Sequence, residues 1–292
     1  MTNPRFLELA KRLRNDSLPE KRNPVPSPVQ PVNIPLNTSG NVSESFVFSY
    51  DGAHRDFFQE LIRKNNELFG GTRAEIPVGT SGEVENMYSL KRFGLITSIY
   101  RNNQLRGYNL FPITPEQSEQ LLKDGKLPDP SRYWEDLGLV LYDRSKDGEN
   151  PQEVLALYKS LSSNKKELGL SKKDLEQKLV IIHPGLEKDS SMPHGVKPII
   201  LPGITRVYTH EVLSKVGEDP NFEGYGLNGG LPLINQLGSG NRTLYLPDET
   251  KDIGLRVLIR GGDRGLDARC WDLVYSGADG RVNFAPQGAT KI

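Results

Sequence analysis

The sequence predicts an α+β protein: a mixed sheet under covering helices, a β-rich C-terminal portion and a flexible N-terminal arm. Three observations carry this. Two short, nearly continuous apolar runs, residues 137–143 (LGLVLYD) and 178–185 (KLVIIHPG), flank a capped amphipathic stretch, as buried strands flank a helix. From Pro198 onward, Pro and Gly recur every few residues and leave room only for short strands. Residues 18–40 are dense in Pro, Asn and Ser, a composition that holds a chain extended and solvated.

Taken in order, Asn3 can cap a helix starting at Pro4, with Phe6, Leu9 and Leu13 on one face and Lys11, Arg12 and Arg14 elsewhere. One narrow stripe cannot fold alone, so residues 4–14 are expected to dock on a protein partner or on the body. Residues 1–44 form the arm, 45–195 the mixed body, and 196–292 a β-rich portion that could be continuous with it. FVFSY at 46–50 reads as a strand. Asp51 or Gly52 then opens a helix with Phe58, Leu61, Ile62, Asn65, Leu68 and Phe69 at helical spacing, stopped by Gly70-Gly71. AEIPV, MYSLKRF, LITSIYR and LRGYNLF follow, joined by short links containing Gly94 or Asn102-Asn103. They are expected to form a small antiparallel meander.

Thr114-Pro115-Glu116-Gln117 matches a capping box with Pro at the first helical position, and Gly125 ends that helix. Asn150-Pro151-Gln152-Glu153 looks like a second box, opening a helix with Val154, Leu157, Tyr158 and Leu161 buried. Ser171 and Asp174 open a third short helix. The two apolar runs around these helices are expected to lie parallel, as in a βαβ unit. Strand candidates in the last fifty residues are RTLYLP, IGLRVLIR, residues 268–275 and GRVNF.

The chain has 292 residues, with 37 basic side chains against 37 acidic ones. No global charge attracts a polyanion, so any contact with RNA must come from a local patch. The single cysteine, Cys270, cannot form an internal disulfide and falls in an apolar alternation beside Trp271. With no apolar leader and no membrane-length window, a cytoplasmic setting without membrane contact is expected.

In a parallel unit, ligands gather at the carboxyl ends of the strands. That places the catalytic candidates at Asp143, Arg144, Ser145 and His183, with His183 as a general base. His183, His194 and His210, with Glu187, Asp189 and Glu211, lack the spacing of a metal-ligand motif, so neither metal nor cofactor is expected. Gly229-Gly230 and residues 238–243 read either as tight loops or as an anion nest near an arginine. Arg242, Arg256, Arg260, Arg264, Arg269 and Arg281, interleaved with Trp271 and Tyr275, resemble a basic-aromatic RNA face. Arg242, Arg260 and Trp271 are its binding candidates. Seven aspartates and glutamates in the same region (Asp248, Glu249, Asp252, Asp263, Asp267, Asp272 and Asp279) balance it.

Two stretches resemble known families. FVFSYDGAHRDFFQELIRK, AEIPV and LITSIYRNNQLRGYNLF, within residues 46–111, resemble the opening strand, helix and central hairpin of the ribosome-inactivating RNA N-glycosidases. The resemblance implies a cleft at Tyr100, Arg101, Arg106 and Tyr108. Gln104-Leu105 stand where that family carries a base-stacking aromatic, and the only Glu-x-x-Arg here is Glu60–Arg63 on the first helix. The cleft implied is therefore a degenerate one. The C-terminal third, GLPLINQLGSGNRTLYLPDE through GLDARCWDLVYSGADGRVNF, resembles a family of archaeal proteins with no assigned activity.

The function expected is that of a non-catalytic intracellular binding or interaction protein, since no catalytic signature closes. The alternative is an enzyme directed at RNA or a nucleotide, such as a degenerate glycosidase.

Overall fold

The computed structural model describes residues 42–78, 82–262, 265–274 and 279–287. The partner-docking stripe over residues 4–14, the proline-rich arm, Arg264 and Tyr275 lie outside them.

Seven strands, numbered along the chain, form the main sheet: β3 (Glu135–Leu141), β4 (Leu179–Ile182), β7 (Arg206–Thr209), β8 (Asn221–Phe222), β9 (Arg242–Tyr245), β10 (Leu255–Arg260) and β11 (Leu266–Cys270). Their order is β7-β4-β3-β10-β11-β9-β8. Neighbours run antiparallel except β11 and β9, which are parallel, so the sheet is mixed. β4 and β3, from before residue 196, lie between β7 and β10, from after it, so the body and the β-rich portion share one sheet. A second sheet joins β1 (Phe46–Val47), β12 (Asn283–Pro286) and β2 (Leu110–Pro112), and β5 (Gly185–Lys188) pairs with β6 (Val196–Ile199).

Helices cover one face of the main sheet. Residues from α1 (Arg55–Phe69), α2 (Ser89–Arg101) and α5 (Pro151–Asn164) share a core with Leu139, Leu141, Leu179, Ile181, Leu255 and Val257. On the other face Val140, Val180, Ile182 and Leu258 pack with Val212, Leu213, Phe222 and Leu231. Each such side chain contributes roughly 1.5–3 kcal/mol on burial. Against β10, the register of β3 jumps from Gly138 opposite Leu258 to Asp136 opposite Ile259, leaving Leu137 as a bulge. The extra residue lets Leu137 and Val140 reach the second core while Leu139 and Leu141 serve the first.

Here the parallel βαβ expectation fails. β3 and β4 are neighbours but antiparallel, with Gly138 opposite Ile182 and Leu141 opposite Leu179. Continuous apolar runs report burial on two faces; they carry no information about direction. Asp143 and His183 consequently sit beyond opposite ends of the strand pair and share no rim.

The expected meander is also absent. MYSLKRF and LITSIYR form one helix, α2, and LRGYNLF contributes a short helix, α3 (Asn103–Gly107), and then β2. Every residue of α2 from Ser89 to Ile99 is buried, so it lacks the one-sided stripe that marks a surface helix. Gly94 interrupts nothing: a Cβ there would stand 2.5 Å from Asn65 Oδ1 on α1, so glycine permits the close crossing. Asn102 caps α3 by accepting from the Gln104 and Leu105 N–H groups. AEIPV forms no strand and, among the described residues, pairs with none.

The box at Thr114 opens α4 (Pro115–Lys123) with both reciprocal hydrogen bonds in place. Asn150 differs. It stands at φ 55° and its amide donates to the Leu255 and Trp271 carbonyls (3.0 and 2.8 Å), so it ties α5 to the sheet without capping it. Ser171 and Asp174 make the two box bonds at 3.1 and 2.8 Å, but only a single turn, Asp174–Glu176, follows.

Candidate binding site

The catalytic candidates at the end of β3 are spent on the chain itself. Asp143 accepts from the N–H groups of Ser145 (2.9 Å), Ile253 (2.9 Å) and Gly254 (3.3 Å), stapling two loops together. Ser145 Oγ accepts from the Asp147 N–H at 3.0 Å. The Arg144 guanidinium lies 4.4 Å from the centre of the Tyr158 ring. His183 is 2% exposed, its ring 5.1 Å from that of Phe111 and its backbone at φ 53°. Burial, with Arg92 and Arg206 nearby, pushes its pKa well below the ordinary histidine value. A neutral, sealed imidazole cannot serve as a base toward a ligand from solvent. Burial likewise pushes the Cys270 thiol up to about 11, which keeps it protonated and unreactive.

Four arginines of the proposed RNA face turn inward, while Arg269 is exposed. Arg260 and Arg92 are buried around Glu135, at 3.8 and 3.4 Å from its carboxylate. Asn283 donates to the same carboxylate through its backbone N–H (2.9 Å) and Nδ2 (3.0 Å). Arg242 forms a bidentate pair with buried Glu119, at 2.6 and 2.8 Å. Arg256 is buried and donates to the Arg269 carbonyl at 3.2 Å. Buried Arg281 lies 4.7 Å over the Tyr133 ring, with Glu83 beside it at 3.3 Å. Of the three binding candidates on that face only Trp271 reaches water, at 55% exposure. The alternating β pattern hid this, because an arginine buried by ion pairing and one on a surface occupy the same positions in sequence.

Asp136, next along β3, accepts from Ser89 Oγ at 2.6 Å, and burial pushes its carboxyl up to about 7 from 3.8. Between those values the folded chain holds more protons than the unfolded one. This group's stabilising contribution is therefore fully present below about pH 4, declines as pH rises toward 7, and is level above it. The slope reaches at most about 1.4 kcal/mol per pH unit. Asp136→Asn removes the titration and keeps an acceptor for Ser89. The variant is expected to gain on the wild type by a few kcal/mol between pH 4 and 7. Urea midpoints across that range check it; two parallel profiles would contradict it.

The glycine-rich loop is a nest filled from within. Gly229 N–H donates to Glu116 Oε1 and Gly226 N–H to Glu119 Oε2, both at 2.7 Å. Glu116 also accepts from Arg206 at 3.1 Å. Two carboxylates one turn apart on α4 thus occupy the amides an outside anion would use.

Tyr100 and Arg106 do come together, in a cleft also lined by Ile99, Asn109, Phe111 and Gln287. Its volume is only about 40 Å³. Arg106 donates to the Tyr100 carbonyl at 2.7 Å. Tyr108 packs on Phe57 at 5.2 Å between ring centres, and neither it nor exposed Arg101 lines the cleft.

The larger concavity runs along α1. It measures about 580 Å³ and is lined by Tyr50, Gln59, Ile62, Arg63, Asn66, Glu67 and Val78. Tyr50 and Ile62, both buried, form its floor, and Val78 stands 82% exposed at its edge. Beside α1 runs the segment 75–78, of which Val78 lines the groove. Asn66 holds it as a strand partner would, accepting from the Ile76 N–H (2.9 Å) and donating to the Ile76 carbonyl (2.6 Å). Tyr50 Oη donates to the Pro77 carbonyl. Along the rim Arg63 pairs with Glu60 and Glu67, and Lys64 with Glu67. Sequence patterning assigns Ile62 to the core and Val78 to a strand, and only folding sets them side by side.

Among the described residues, no helix is long and apolar enough to cross a membrane, and no three His, Cys, Asp or Glu side chains gather as metal ligands. No family model, curated protein or solved structure matches the chain.

Proposed function

We propose that this chain is a non-catalytic intracellular binding protein and that the groove along α1 is its ligand-facing surface. One observation carries the proposal: an open, apolar-floored groove of about 580 Å³ with a valine 82% exposed at its edge. Binding pockets span roughly 300–1,000 Å³ and combine apolar lining with a few polar groups. Gln59 is such a group here. Asp143, Ser145, Glu116 and Glu119, the polar residues best placed for chemistry, all serve the chain's own backbone, which also favours binding over catalysis.

An enzyme of the ribosome-inactivating kind would have to work in the cleft at Tyr100 and Arg106. At about 40 Å³ that cleft falls well short of a base-sized pocket. Kinship with the archaeal family, and a cytoplasmic setting, belong to the same proposal and add no chemistry to it.

An apolar fragment library screened by ligand-observed NMR tests the proposal, with ribosomal RNA incubation and aniline treatment beside it. Fragments are expected to bind the wild type and to lose binding to Val78→Glu, with no aniline-sensitive site formed. The substitution sits in solvent and is expected to change stability by no more than about 0.5 kcal/mol. Equal binding to both proteins, or a specific cleaved site in the RNA, would overturn the proposal.

A further inference from the structure

We infer that Asn228 is a site of spontaneous deamidation that Glu116 keeps shut. Asn228-Gly229 is the one Asn-Gly pair in the sequence. Such a pair is chemically labile, because glycine puts no side chain in the way of its own nitrogen. The Gly229 nitrogen gives up its proton and attacks Asn228 Cγ. The new C–N bond closes a five-membered imide, and the side chain's own Cγ–N bond breaks, with ammonia leaving. Water then opens the ring at one of its two carbonyls and leaves aspartate or isoaspartate. Water is the only co-reactant.

The fold cannot discard this pair. Gly229 and Gly230 stand at φ 65° and 83°, where a side chain is strained. A Cβ at Gly229 would also run into the Tyr208 ring, and one at Gly230 into Pro115. Nor is Asn228 sheltered from water, since it is exposed. What the structure holds instead is the peptide that must react. Its N–H, on Gly229, donates to Glu116 Oε1 at 2.7 Å, and its carbonyl, on Asn228, accepts from the Leu231 N–H at 3.2 Å. The following carbonyl, that of Gly229, accepts from Tyr208 Oη. Glu116 is fixed in turn, on the first turn of α4 with Arg206 Nη1 3.1 Å from its other oxygen. The Gly229 nitrogen can neither yield its proton to water nor swing toward Cγ until the Glu116 bond opens. A hydrogen bond to a charged group is worth about tenfold or more in a rate. Deamidation undoes the arrangement: isoaspartate adds one carbon to the main chain and displaces Gly229 from both Glu116 and Tyr208.

Incubation of the full chain, followed by peptide mass spectrometry that resolves aspartate from isoaspartate at position 228, tests this. Folded wild type is expected to deamidate there at least about tenfold more slowly than the same chain unfolded in urea, and Glu116→Ala at least about fivefold faster than folded wild type. Glu116→Asp, its carboxylate one carbon further back, should also be faster, and it serves as the test if the alanine variant does not fold. Wild type in enough urea to match the stability of the Glu116 variant separates loss of the bond from general loosening, and should stay slow. Equal rates in wild type and the Glu116 variants would overturn the inference. So would slower variants, which would make the carboxylate a base for the attack, or a urea-matched wild type as fast as the variant.

Discussion

Glu135→Ala is expected to destabilise the fold by about 3–5 kcal/mol, the cost of stranding a buried ionic partner. The carboxylate stands between Arg92 and Arg260, all three side chains wholly buried, and it takes two hydrogen bonds from Asn283. Desolvation already lowers the pKa of both arginines, and Glu135 opposes that shift in each. Without it two guanidiniums remain in the interior, and the β12 residue Asn283 loses both of its acceptors. The site links β3, β10, α2 and β12, so the damage should be global. Equilibrium urea unfolding measures it. A loss below about 1 kcal/mol would mean the cluster is solvated in solution.

Glu119→Ala is expected to cost a similar amount, about 3–5 kcal/mol, through a different route. Its carboxylate binds Arg242 in bidentate fashion and also takes the Gly226 N–H, so one side chain on α4 fixes both a strand and the glycine-rich loop. Arg242 further lies 4.6 Å over the Phe222 ring, a contact that favours the cation but does not replace the carboxylate Glu119 supplies. Adding Arg242→Leu to Glu119→Ala should restore part of the loss, because the double variant buries no unpaired charge. Urea unfolding of the four proteins completes the cycle. A double variant less stable than the sum of its singles would contradict the pairing.

Both clusters show where sequence is legible and where it is not. The α+β class, the α1 stripe and the capping box at Thr114 follow local rules and form as expected, although α1 begins at Arg55 and not at Asp51 or Gly52. Strand direction does not follow them, because residues 137–141 and 179–182 are apolar for burial on both faces whichever way they run. Helix α2 is hidden for a related reason: buried all round, its residues show no helical periodicity. Arg242 and Arg260 look like surface because their partners, Glu119 and Glu135, lie far away in sequence. The groove is the least legible part. It exists only because Asn66 carries the hydrogen bonds a neighbouring strand would have supplied to residue 76.

The most direct test of the groove as binding surface is methyl NMR on Ile62 and Val78, during titration with an apolar fragment that binds the wild-type protein. The account predicts saturable shifts at those two methyl groups, with Leu155 and Leu227, exposed elsewhere, unmoved. Shifts confined to the surroundings of Tyr100 and Arg106, with Ile62 and Val78 silent, would contradict it.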